Sequence, residues 1–258
     1  MMIKLLRSDI YRVLHSKTLY ITIVAMLGIA TISMMSQTII VSGMIDPDMQ
    51  KVIESTKHWG MSEAIIACTM GLSAYSWFNI PMYTIIIGQE FSQGTYKNVF
   101  FSGISRREFV TSKLLLMMIT IISLFIILFG YVAILGYIKN GLGNISFNGD
   151  IIKNLIIASL FYVIISTVYY TLALGIQVST NSSILAIVFV IIFPFMIQMI
   201  QMLTDWNFLN MVNFAATTFR AQTGDLPISE IIKTLSMNAG LLLFTSCASI
   251  EILKRKEF

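Results

Sequence analysis

The sequence predicts an all-α, polytopic membrane protein with six transmembrane helices and a further helix lying on the membrane surface at its N-terminus. Composition is the first reason: of 258 residues, 56% are hydrophobic and only 12% charged, where a soluble domain carries about a quarter charged. The second is banding of the charges. No Asp, Glu, Lys or Arg lies between Lys17 and Asp46, Glu63 and Glu90, Lys113 and Lys139, Lys153 and Asp205, or Lys233 and Glu251. The third is that these runs are long and show no alternation of period two, which selects helices over a barrel.

A spanning helix needs roughly 20 apolar residues. Four gaps hold at least one span each. The gap from Lys153 to Asp205 holds two, with Ser179-Thr180-Asn181-Ser182-Ser183 as the turn between them. The spans fall near 18–41, 64–88, 114–138, 154–178, 184–204 and 234–251, and residues 1–258 form a single transmembrane domain. With six spans both termini share one side. That side holds 11 Lys and Arg against 6 on the other, so the positive-inside rule places both termini in the cytoplasm. The net charge of +4 is then a topology signal and gives no reason to expect nucleic-acid binding.

Residues 2–17 read as an interfacial helix. Ile3, Leu6, Ile10, Val13 and Leu14 share one face, and Lys4, Ser8, Tyr11, Arg12 and His15 the other, with Leu5 breaking the pattern. The alternative is a basic tail that only sets orientation. The first apolar segment is too long for a signal-peptide core and is retained as a span. The loop that follows carries Pro47 as a turn signal and His58, which is either a solvated loop residue or a ligand. Ser62 is a candidate N-cap for span two. This span contains Tyr75, Trp77, Asn79 and Pro81, and Pro81 should kink it. Span four has Tyr169, Tyr170 and Gln177, and span five Pro194, Gln198 and Gln201. Polar and aromatic groups at such depth face helix neighbours or a cavity. Tyr75, Trp77, Asn79, Tyr169, Tyr170, Gln198 and Gln201 therefore either hold the bundle together or line a substrate path. The aromatic, weakly polar segment 205–233 dips into the outer interface. Cys68 and Cys247 both fall inside spans, which supports neither a disulfide framework nor a zinc site.

The one sizeable polar insert on the cytoplasmic side runs from Glu90 to Lys113. Gly94-Thr95 reads as a turn and a helix start capped by Thr95. Tyr96, Val99, Phe100 and Phe101 follow, and Ser102-Gly103 breaks the helix. Ser105-Arg106-Arg107-Glu108 is a capping box, so a new helix starts there and continues into span three. Glu90 is a candidate for an ion pair with Arg106 or Arg107. Such a short, stiff helix at the membrane surface can press into a partner's groove and transmit motion. The alternative is a loop whose charges only anchor topology.

The pattern Glu90, Gly94-Thr95, Ser102-Gly103-Ile104-Ser105-Arg106, Phe109 and Lys113 resembles the cytoplasmic loop between spans two and three of ABC-2-type transporter permeases. The six-span layout and N-terminal interfacial helix match as well. The short first external loop is similar to permeases of peptide exporters and lantibiotic-immunity (bacteriocin-immunity) systems of Gram-positive bacteria. The resemblance implies a bacterial plasma-membrane protein whose loop contains a coupling helix. Gly94, Thr95, Tyr96, Lys97, Val99, Phe100, Phe101, Ile104, Ser105 and Arg106 would dock on an ABC ATPase subunit. The implied partners are two such ATPase subunits, a second permease, identical or related, and membrane lipids. It also implies short re-entrant helices in segment 205–233.

No GxxxxGK[ST] phosphate loop occurs, so ATP and Mg are expected on the partner subunit and no cofactor on this chain. No HExxH or GxSxG motif occurs, and no expected span carries a charge in its middle, which disfavours an enzyme and a proton- or ion-coupled carrier. The leading expectation is a permease of an ATP-driven exporter for an amphipathic or apolar substrate, a peptide or a lipid. The alternative is an immunity or assembly protein that binds such a molecule without transporting it.

Overall fold

The computed structural model describes residues 2–40, 59–143, 149–204 and 206–255. The regular elements among the described residues are all helices, without strands. The expected loop with Pro47 and His58, the turns at 144–148 and the last residues from Lys256 lie outside them.

Helix α1 (Met2–Leu14) is followed by α2 (Lys17–Ser36), whose N-cap Ser16 accepts a hydrogen bond from Leu19 N. Next comes a helical run from Met61 to Ser92 that changes pitch repeatedly. Its pieces are α3 (Met61–Met70), α4 (Leu72–Tyr75), a 3₁₀ turn (Ser76–Phe78), α5 (Asn79–Tyr83), a π turn (Thr84–Gly88) and α6 (Gln89–Ser92). Helix α7 (Tyr96–Phe101) is short. Helices α8 (Arg106–Asn140), α9 (Gly149–Thr180) and α10 (Ser183–Thr204) are long. A 3₁₀ turn (Asn207–Met211), α11 (Phe214–Thr223) and α12 (Ile228–Arg255) complete the described elements.

Among the described residues five helices, α2, α8, α9, α10 and α12, are long and apolar enough to cross a membrane. The expected second span, 64–88, falls within the interrupted run, whose longest regular piece has 10 residues. The pitch changes bracket Pro81, which has no N–H to give the carbonyl of Trp77. In the π turn beyond it, donors from other helices take up carbonyls. Arg12 Nη2 donates to Ile86 O at 3.2 Å, and Ser183 Oγ donates to Gly88 O at 2.9 Å.

Packing divides into two groups. Helix α8 gathers α1, α2 and α3, while α9 gathers α10, α11 and α12; contacts of α8 with α9 and α12, and of α3 with α11, join them. Small residues permit the closest approach. A Cβ on Gly136 of α8 would stand 2.8 Å from Gly60 O and 2.9 Å from Met61 Cα. The N-cap of α3 is Gly60, two residues ahead of the expected Ser62. Ser62 instead donates to Leu142 O at 3.0 Å, tying α3 to the end of α8.

The capping box forms as the sequence predicts. Ser105 Oγ accepts from Glu108 N at 3.2 Å, and Glu108 Oε2 accepts from Ser105 N at 3.1 Å. The expected cap at Thr95 does not form: Thr95 lies in the helical region, and its hydroxyl reaches back to Glu90 O at 3.4 Å. The buried stripe of α1 also differs from the expectation. Asp9 and Val13 are buried and Leu5 packs on the core, while Ile3 (78% exposed) and Leu14 (51%) face away. An acidic side chain occupies the inward face because it has partners there.

Candidate functional site

Four charges from three elements meet at one end of the bundle. Lys113, seven residues into α8, is fully buried; its Nζ donates to Asp9 Oδ2 at 2.7 Å and to Glu90 Oε1 at 2.5 Å. Arg12 joins from α1, with Nη1 2.7 Å from Glu90 Oε1 and Nη2 3.2 Å from Asp9 Oδ1. Two cations thus balance two carboxylates; Lys113, Asp9 and Glu90 are buried while the Arg12 side chain stays 35% exposed, and ionic hydrogen bonds to the buried groups are short and strong. The cluster fastens α1 and the end of the 61–92 run to α8. Glu90 is an ion-pair residue as the sequence expects, but its partners are Arg12 and Lys113. Arg106 instead donates from Nε to Leu253 O at 2.9 Å and lies over the Phe100 ring, and Arg107 is exposed. Arg106 sits about two turns before Lys113, too near the start of α8 to reach the buried carboxylate.

Helix α7 hangs directly from this cluster. Two glycines with positive φ, Gly94 (+69°) and Gly103 (+84°), turn the chain at its two ends, in a conformation that costs other residues about 1–2 kcal/mol. Between them Tyr96 stacks on Phe91 at 4.4 Å, and Phe100 packs edge-on against Phe109 at 5.3 Å. Desolvation pushes the Tyr96 phenol above its usual range, so it stays neutral. Val99 and Ile104 pack against the same core. Of the ten expected docking residues, Thr95, Lys97, Phe101 and Ser105 are exposed, and Phe101 is 76% exposed. Tyr96, Val99, Phe100 and Ile104 face inward as anchors, and Gly94 supplies the turn.

The residues expected on a path divide three ways. Trp77, Tyr169, Tyr170 and Gln198 line one cleft between the 61–92 run, α9 and α10, together with Ser166 and Pro194. Its cavity is about 40 Å³, room for a few waters. Ser166 Oγ is buried there and makes no hydrogen bond among the described residues. Asn79 lies outside the cleft and donates to Tyr162 Oη at 2.9 Å. Tyr75 borders a separate small cavity with Cys68 and Trp59. Gln201 clips the segment after α10, with Nε2 donating to Asn210 Oδ1 and Oε1 accepting from Asn213 Nδ2 at 2.7 Å.

No protein-family model and no curated protein matches the sequence.

Sequence reasoning missed Asp9, and it placed Lys113 in the loop pattern without seeing it as the partner of Glu90. A signal was present. Glu90 and Lys113 are the charges that bound apolar runs on the same side, so they stand at one level, and Asp9 is the acidic residue of the adjoining basic helix.

Proposed function

We propose that this chain is the membrane-spanning permease subunit of an ATP-binding-cassette exporter. The six spans of this reading are α2, the run 61–92, α8, α9, α10 and α12, with both termini and α7 in the cytoplasm. The observation that carries it is the α7 elbow: a stiff surface helix, anchored inward by Tyr96 and Phe100, exposing Phe101 and Lys97, and attached to a buried ionic joint. Two ATPase subunits dock on α7 of this chain and of a second permease. Their closure on ATP pushes α7, and the joint passes the push to α1, α8 and the end of the 61–92 run together. The chain contains no phosphate-binding loop, so the nucleotide and its Mg are held by the partner. The cleft at Trp77 and Tyr169 forms part of the path for an amphipathic peptide or lipid, closed in this conformation.

The test is a pull-down of the tagged chain from native membranes. An ABC ATPase should accompany the unaltered chain and be lost from Phe101→Asp, while membrane insertion persists. Recovery of a chain that exports its substrate in liposomes without any ATPase would refute the proposal. Stable binding of a peptide or lipid without ATPase or transport would establish the immunity or assembly reading instead.

A further inference from the structure

A cavity of about 420 Å³ lies at the end of the bundle opposite the ionic joint, between the 3₁₀ turn, α11 and the start of α12. Its lining includes Arg220, Glu230, Lys233, Thr234, Met211 and Leu226. Along α12, Thr234 is nineteen residues from Leu253, whose carbonyl holds Arg106, or about 28 Å at the helical rise of about 1.5 Å per residue. That is about the thickness of the hydrocarbon layer, so the cavity stands at head-group level on the far side.

We propose that this cavity binds the phosphate head group of a membrane phospholipid. Two cations face one anion in its wall. Arg220 Nη2 pairs with Glu230 Oε2 at 3.0 Å, whereas Lys233 makes no ion pair among the described residues. Thr234 points to a ligand independently. Thr217, Thr218 and Thr245 donate to the carbonyl four residues earlier, as helical threonines do. Thr234 is 3% exposed, lines the cavity, and its hydroxyl makes no hydrogen bond among the described residues. A guanidinium, an ammonium and a hydroxyl around one space suit a phosphate. The volume is that of a site for a molecule of tens of atoms, far more than an inorganic phosphate fills. Met211 and Leu226 supply apolar wall, and Ile228 and Ile232 beside it are 66% and 61% exposed, a surface on which acyl chains can lie. Assignment to the outer leaflet rests on the proposed topology; the binding itself needs no ATPase.

The test uses the purified full-length chain in an uncharged detergent. Short-chain phosphatidylglycerol, dihexanoylglycerol and inorganic phosphate are titrated in turn, read by thermal unfolding and calorimetry. Phosphatidylglycerol should bind saturably and dihexanoylglycerol should not. Lys233→Gln and Thr234→Val should each weaken binding, the former by about tenfold, the scale of one charge-assisted contact. Lys254→Gln, at the other end, should leave it unchanged. Glu230→Gln should tighten binding by removing the competing anion, a sign that a merely structural ion pair would not give. Absence of saturable binding, binding undiminished in Lys233→Gln, or inorganic phosphate binding as tightly as the lipid would overturn the proposal. An ATPase pull-down that failed while the lipid still bound would remove only the transport reading.

Discussion

Lys113 is an ammonium with no exposed surface, and its environment decides what its loss would do. Taken from water alone it would cost several kcal/mol; its two carboxylate partners offset that cost, and Arg12 neutralises the second carboxylate charge. Replacing one member leaves the others buried and unbalanced. Lys113→Met should therefore destabilise the chain by about 3–5 kcal/mol, read as a lower melting temperature of the detergent-purified protein. Combining it with Asp9→Leu should cost less than the two single changes added, because the second removes one stranded carboxylate. A Lys113→Met chain that melts with the unaltered protein would show the cluster to be energetically idle. Gly103 is a smaller case. At φ +84° it has open space around it, so Gly103→Ala meets no clash and should cost about 1 kcal/mol from backbone conformation alone. Glu90 was legible in the sequence as an ion-pair residue because it closes an apolar run. Its partners were not, because proximity in the chain favours Arg106 and Arg107, whereas packing of α1 on α8 brings up Asp9 and Arg12.

At the scale of the element, α7 separates two roles that its sequence leaves mixed. Phe100 and Phe101 are neighbours, yet one turns onto Phe109 and the other into solvent. Phe100→Ala should lower stability by about 2 kcal/mol, somewhat less than a full core Phe→Ala because Phe100 is half-buried. Phe101→Ala should leave melting within about 0.5 kcal/mol and weaken co-purification of the ATPase. Equal behaviour of the two variants in both measurements would break the assignment of anchor and docking face. The helix starting at Ser105 was readable because a capping box is a local pattern, complete within four residues. The pitch changes between Ser76 and Gly88 were not. Pro81 signals a disturbance but not its form, and the π turn depends on donors from distant segments, Arg12 on Ile86 O and Ser183 on Gly88 O. The close approach of Gly136 to Gly60 likewise belongs to no local pattern. Gly136→Ala should force α8 and α3 apart and lower stability by about 1–3 kcal/mol, the usual cost of overpacking, visible as an earlier melting transition.

For the whole molecule, charge banding located the long helices because a hydrocarbon layer tolerates charge only at its borders. It could not say which helices touch, and the division into a group around α8 and one around α9 comes from side-chain fit alone. That division still sets two ends to the bundle. Asp9, Glu90, Lys113 and the Arg106–Leu253 contact mark one, and the start of α12 with Arg220 and Glu230 marks the other. The proposed function requires the first end to face the cytoplasm, since an ATPase can reach α7 only there. Labelling tests this without reference to transport. Cys68 and Cys247 are the cysteines of the chain, and Cys68→Ala with Cys247→Ala gives a background free of thiols. Ser102→Cys, in the exposed turn after α7, and Asp225→Cys, in the exposed turn before α12, then report one end each. A membrane-impermeant maleimide added to intact cells should modify Asp225→Cys and spare Ser102→Cys until the membrane is permeabilised. The reverse pattern would put α7 outside, out of reach of any nucleotide-driven partner, and modification of both from outside would mean that the long helices do not separate two compartments at all.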